Sequence, residues 1–285
     1  MKPLVLVLLL VAGAARAEDS TGLDALTTRD DLRGFEPVGR VDVENGGFCT
    51  GALIAPDLVL TAAHCVVEPD GSAVDAGRIV FKAGFSHGSA LAEVPVARTV
   101  ADPEYRNIDP APFEMIERDV ALLQLAEPIP SALISPFAVA RPGSGDEISV
   151  VSYAEGREEA LSWQRVCKLL GRRDRLIAFD CDVTFGSSGA PVLDRSSYRA
   201  RIVSMVSAGG EIDGKPVAFG MELPEQIDRL KAALRNGKAL SVAAATDAVV
   251  ESVPSGLPGK PARRLGVGGS TLGTTTTGGA RFVSP

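Results

Sequence analysis

Histidine is almost missing from this chain: His64 and His87 are the only two in 285 residues. Any chemistry that needs an imidazole therefore has few places to be. Positive charge is also in deficit, with 29 Lys and Arg against 36 Asp and Glu and a net charge of −7. That balance excludes the basic footprint of a nucleic-acid binder and the polybasic surface of an anionic-membrane binder. The four cysteines include no C-x-x-C pair, which argues against a zinc site. Beyond the N-terminal leader no run approaches about 18 uncharged apolar residues, so no membrane insertion is expected once the leader is gone. Apolar residues at 45% and charged residues at 23% are the composition of a globular chain, neither disordered nor collagen-like.

What is present begins with that leader. Met1-Lys2 is a short positive start, residues 4–11 are continuously apolar, and Ala15-Arg16-Ala17 fits a small-x-small cleavage site. Residues 1–17 read as a secretory signal peptide, too short to serve as a membrane anchor. The expected location is secreted or periplasmic. In such an oxidising compartment Cys49, Cys65, Cys167 and Cys181 read as disulfides. Three pairings are possible. The local one, 49 with 65 and 167 with 181, is favoured, and each bridge would close a loop worth about 3 kcal/mol.

Thirty Gly and 19 Pro exceed the usage of a helical bundle and suit many short strands joined by turns. Short apolar runs lie at 38–43, 50–54, 58–61, 78–82, 93–100 and 120–125. A second series lies at 147–153, 162–170, 175–179, 190–193, 201–207 and 216–221. Their lengths and spacing signal an all-β fold of two six-stranded antiparallel barrels, over 37–130 and 131–236. Pro224 followed by Ile227, Leu230 and Leu234 marks one C-terminal helix. Residues 18–36 read as a pro-segment or loose N-terminal arm. The Gly, Thr, Pro and Ser content near the end makes 237–285 a low-complexity, flexible, disordered tail.

Three motifs carry chemistry. His64 ends Leu58-Val59-Leu60-Thr61-Ala62-Ala63-His64-Cys65, Asp119 opens the strand Asp119-Val120-Ala121-Leu122-Leu123, and Ser188 sits in Gly186-Ser187-Ser188-Gly189-Ala190-Pro191. A serine hydroxyl needs an imidazole to take its proton, and the imidazole needs a carboxylate to hold its tautomer. The glycines around Ser188 let the N–H groups of Gly186 and Ser188 converge as an oxyanion hole. His87, by contrast, reads as a loop residue, and Asp102, in Ala101-Asp102-Pro103-Glu104, as a turn residue. The acidic stretch 68–75 has no defined calcium-ligand spacing. An α/β-hydrolase is excluded because Ala190 breaks G-x-S-x-G and no histidine follows Ser188.

Together these motifs resemble a trypsin-like, chymotrypsin-fold serine protease of the secreted bacterial branch, over roughly 36–236. The resemblance implies two Greek-key barrels with a cleft between them, and His64 as base, Asp119 as orienting carboxylate and Ser188 as nucleophile. It also implies a Cys49–Cys65 bridge stapling the histidine loop, polypeptide substrates and no cofactor. Two features depart from the family. Ser187 stands where zymogen-activated members carry an aspartate that pairs with a new N-terminus, although Arg40-Val41 is similar to an activation junction. No second-barrel histidine exists, which disfavours the glutamate specificity of related glutamyl endopeptidases. By the same likeness Asp182 lies at the floor of the specificity pocket, favouring Lys or Arg. Ser204 lies on the substrate-binding strand, with Val206 on a pocket wall and Val217 opposite, favouring small side chains. The rival functions are a catalytically silent, protease-like binding protein and an esterase on the same scaffold. The sequence assigns no oligomeric state.

Overall fold

The computed structural model describes residues 22–143, 147–237 and 279–282. The proposed signal peptide and most of the tail lie outside these. The first unit is built from β2 (Val38–Val43), β3 (Phe48–Ala55), β4 (Leu58–Thr61), β5 (Ile79–Ala83), β6 (Ala92–Ala101) and β8 (Ala121–Leu125). They close into a barrel in the order β2-β3-β4-β8-β6-β5. In β5 burial alternates residue by residue, as a pleated strand with one face on a core requires. In β4 all four residues are buried, because the strand is covered on both sides. Between β6 and β8 the chain makes β7 (Ala111–Pro112) and a one-and-a-half-turn helix α1 (Phe113–Arg118).

The second unit comprises β9 (Ala138–Val139), β10 (Glu147–Ala154), β11 (Arg157–Arg173), β12 (Leu176–Phe179), β13 (Pro191–Asp194), β14 (Arg201–Met205), β15 (Ala208–Ile212) and β16 (Lys215–Met221). Here the expectation of a second closed six-stranded barrel meets a different result. The ladder runs β15-β16-β12-β11-β10-β13-β14-β9 and stays open, a half-barrel. The gap between β14 and β16 is bridged by a side chain, with Ser204 Oγ donating to the Met221 carbonyl at 2.9 Å. The helix α2 (Pro224–Arg235) follows as expected, with Ile227, Leu230 and Leu234 on its buried face and Pro224 in its first turn.

Two segments outside these units, among the described residues, pair with strand edges. In the arm expected to be loose, β1 (Leu23–Leu26) pairs antiparallel with β11 at Leu161–Gln164. Leu32 and Phe35 are buried, and the Phe35 ring lies 5.0 Å from that of Trp163. The β1 ladder and the buried side chains of Leu26, Leu32 and Phe35 join this arm to the sheet. In the tail, β17 (Gly279–Phe282) is inserted between β15 and β7. Both local disulfides are present, Cys49–Cys65 and Cys167–Cys181. The second lies within a small core of its own, with Ile177, Phe179, Val192 and Val206.

Candidate active site

Antiparallel pairing explains how residues 55 apart in sequence meet. Thr61 at the end of β4 is in register with Ala121 at the start of β8. The chain therefore leaves β4 into the Ala63–Cys65 turn beside the point where Asp119 and Val120 enter β8. Asp119 is fully buried, and its carboxylate is held by three donors. Oδ1 accepts the His64 backbone N–H at 2.9 Å, and Oδ2 accepts the ring Nδ1–H of His64 at 2.8 Å. The Ser207 hydroxyl donates to Oδ2 at 2.5 Å. A buried carboxylate without such partners would carry a large desolvation cost. Charge-assisted donors offset it and fix the imidazole with its proton on Nδ1, so that Nε2 is the proton acceptor. The negative charge is felt nearby: the Tyr105 phenol is pushed far above its ordinary value, first by burial and then by Asp119.

Ser188 is likewise fully buried, in a turn where Ser187 N–H donates to Thr184 O and Ala190 N–H to Ser187 O, both at 2.9 Å. Gly186 and Gly189 have φ of +87° and +80°, a region that side-chain-bearing residues rarely adopt. Neither has room for one. A Cβ on Gly186 would stand 2.4 Å from the Phe48 ring, and one on Gly189 would stand 2.2 Å from the Thr50 carbonyl. The Phe185 carbonyl accepts the Glu155 N–H at 2.7 Å. Across a trans peptide this turns the Gly186 N–H to the opposite side.

The serine turn is tied to the histidine turn through β3. Thr50 N–H donates to the Ser188 carbonyl at 2.9 Å. The neighbouring Cys49 is bonded to Cys65, next to His64. Ser188 and His64 are thus joined by a short rigid path across the two units. Thr50, itself fully buried, adds a second clamp: its Oγ1 donates to the Gly186 carbonyl at 2.9 Å and accepts the Tyr153 N–H at 3.0 Å. Sequence reasoning missed this role, because a threonine after a cysteine in an apolar strand has the ordinary look of β-propensity. The three candidate ligand atoms on Cys49, His64 and Cys65 lie close together, but both sulfurs are committed to the disulfide.

The residues read as substrate-binding fare differently. Ser204 lies in β14, buried and bonded to β16, and Val206 packs into the second core beside Ala190. The residue that reaches Asp119 is Ser207. The sequence repeats Val-Ser at 203–204 and 206–207, and it is the second serine whose hydroxyl meets the Asp119 carboxylate. The strand leaving the site is therefore β15, starting at Ala208. Asp182 is exposed, with its N–H donating to Gln164 Oε1 at 2.7 Å. Its charge acts on Arg157, whose guanidinium is held below its usual range by burial and partly restored by Asp182. Where family members place an aspartate, Ser187 Oγ donates to Ser152 Oγ at 3.2 Å. Arg40-Val41 is no junction: both residues lie within β2, paired to β3 and β5, and Arg40 forks onto Asp42. Asp102 sits in a turn, accepting the Glu104 N–H and facing Arg118.

A β-barrel joined to a half-barrel, with a His–Asp pair on one and a glycine-flanked serine on the other, is the architecture of a serine peptidase. The chain belongs to the trypsin-like peptidase domain family, whose model matches residues 49–199, a stretch containing His64, Asp119 and Ser188. It is 38% identical over 104 residues to human "Serine protease 56". That stretch is 36% of this chain, and the chain spans 15% of the length of this relative. Among solved structures it resembles a Glu endopeptidase in complex with MPD, with a TM-score of 0.62 and 17% identity over 78% of this chain and all of the other. At that identity the likeness concerns the fold.

Proposed function

We propose that this chain is an exported serine endopeptidase that hydrolyses peptide bonds through an acyl-enzyme. The observation that carries the reading is the buried Asp119 carboxylate, which holds the His64 ring by its Nδ1–H and leaves Nε2 to accept a proton. Ser188 Oγ attacks the scissile carbonyl while His64 Nε2 takes its proton. The oxyanion forms against the N–H groups of Gly186 and Ser188, one donor of such a pair being worth about 3–4 kcal/mol. His64 then returns the proton to the leaving amine, the C–N bond breaks, and an ester to Ser188 remains. Water, deprotonated by the same nitrogen, hydrolyses that ester and restores the hydroxyl. None of these steps calls on a cofactor.

Ser187 and Ser152 hold each other where other members bury an ion pair, so the serine turn is set without a newly cut N-terminus. The leader pattern of residues 1–17 together with two disulfides supports export. For specificity, the Asp182 charge acts on the Arg157 guanidinium, and Val217, paired opposite Gly210 of β15, favours small apolar side chains before the scissile bond. Cleavage-site profiling on a peptide library tests both levels. The expected result is hydrolysis lost in His64→Ala, with Ala or Val ahead of Lys and Arg at the cut. Ester turnover with no amide cleavage would replace the endopeptidase reading by the esterase one. No turnover at all would leave a binding protein.

A further inference from the structure

The edge of β15 next to Ser207 is already occupied by the chain itself. β17 pairs antiparallel with it, Phe282 opposite Ala208 and Arg281 opposite Gly209. On its other side β17 pairs with β7, Gly279 opposite Pro112 and Ala280 opposite Ala111. An extended segment held between two strand edges is how a β-sheet receives a peptide. Direction matters as well. β15 runs away from Ser207, so β17 advances toward it, and among the described residues it ends with Phe282 opposite Ala208, the neighbour of Ser207, whose hydroxyl is bonded to Asp119. The side chain of His64 is 1% exposed and Ser188 is 0% exposed. A Cβ on Gly209 would meet nothing within 4 Å, so the face of β15 is open at this position.

From these observations we infer that residues 279–282 of this chain are the resident occupant of the β15 edge, where an extended substrate peptide would otherwise pair. The C-terminal segment is a cis-acting competitor of substrate. This rests on the peptidase reading above. A tethered competitor acts at a fixed effective concentration, commonly in the millimolar range, so even a weak segment suppresses turnover.

The test compares the full chain with a chain lacking 279–285 and with Arg281→Pro, which keeps the length but removes a strand N–H. A chromogenic p-nitrophenyl ester burst and hydrolysis of a short peptide are the readouts. Deletion is expected to raise kcat/KM about ten-fold through KM, with kcat unchanged, as relief of a tethered competitor requires. Arg281→Pro should move in the same direction. A synthetic peptide of residues 279–285 should inhibit the deleted chain competitively, and the suppression in the full chain should not vary with enzyme concentration. Equal KM in all three chains, each with a full burst, overturns the inference and leaves the peptidase reading intact. Suppression that grows with enzyme concentration overturns the cis assignment. No burst in any chain defeats the peptidase reading itself.

Discussion

Replacing Thr50 by valine removes one hydroxyl and little volume, so its effect isolates the clamp between the two units. In the native chain that hydroxyl satisfies the Gly186 carbonyl and the Tyr153 N–H, both within a buried setting. Thr50→Val leaves both groups unpaired, at about 1–3 kcal/mol each, a destabilisation of roughly 2–6 kcal/mol. For a domain of this size that is a fall in Tm of about 5–15 °C. The catalytic effect is separate. The Gly186–Ser187 peptide loses its anchor, which loosens the turn that carries the proposed Gly186 and Ser188 oxyanion donors. Full loss of such a donor costs about 10²–10³ in kcat, so a loosened one is expected to cost roughly 10- to 100-fold. KM should change little, because β15 is untouched. Thr50→Ser keeps the hydroxyl and should recover kcat even if some packing is lost. Thermal melts and steady-state peptide hydrolysis on the three proteins decide it. Wild-type kcat in a destabilised Thr50→Val, or Thr50→Ser as slow as Thr50→Val, would refute the clamp.

Other outcomes are as definite. Ser207→Ala deletes one donor to the Asp119 carboxylate, and kcat for peptide hydrolysis should fall about ten-fold, with the fold retained by circular dichroism. The double substitution Cys49→Ala with Cys65→Ala should lower stability by about 3 kcal/mol in denaturant titration and also slow turnover, because that bridge sits beside His64. The Tyr105 and Tyr153 phenols are both raised above the ordinary 10.0, chiefly by burial. Each therefore contributes stability that is complete below the unfolded-state value and is lost as pH climbs beyond it. Above about pH 10 tyrosinate absorbance from these two phenols should appear together with loss of tertiary circular dichroism, not before it.

The site was more legible in sequence than its surroundings, for a physical reason. The proposed nucleophile, base and oxyanion turn need particular residue types at particular strand ends, and His64, Asp119 and Gly186–Pro191 carry that demand in contiguous motifs. The two disulfide loops follow from short separations. What the sequence hid are contacts made by ordinary residues. Ser207 was missed because Val203-Ser204 offers the same dipeptide one helical-length step earlier, and only the ladder of β13 with β14 decides which serine emerges at the site. Thr50 is indistinguishable from any strand threonine until Gly186 is placed beside it. The open second unit depends on whether β14 and β16 join by backbone or by the Ser204 hydroxyl, a choice that periodicity does not encode. β1 and β17 are short and lie in polar or glycine-rich context. Their pairing comes from edges offered by β11, β15 and β7, a property of the partner strands and not of the segments themselves.

In the proposed mechanism Ser188 is the one hydroxyl activated by His64. Treating the chain lacking 279–285 with a fluorophosphonate and locating the adduct by peptide mass spectrometry tests it at the atom concerned. The adduct should map to Ser188 alone and disappear in His64→Ala. An adduct on Ser187 or Ser207, or peptide hydrolysis that survives Ser188→Ala, would contradict the account.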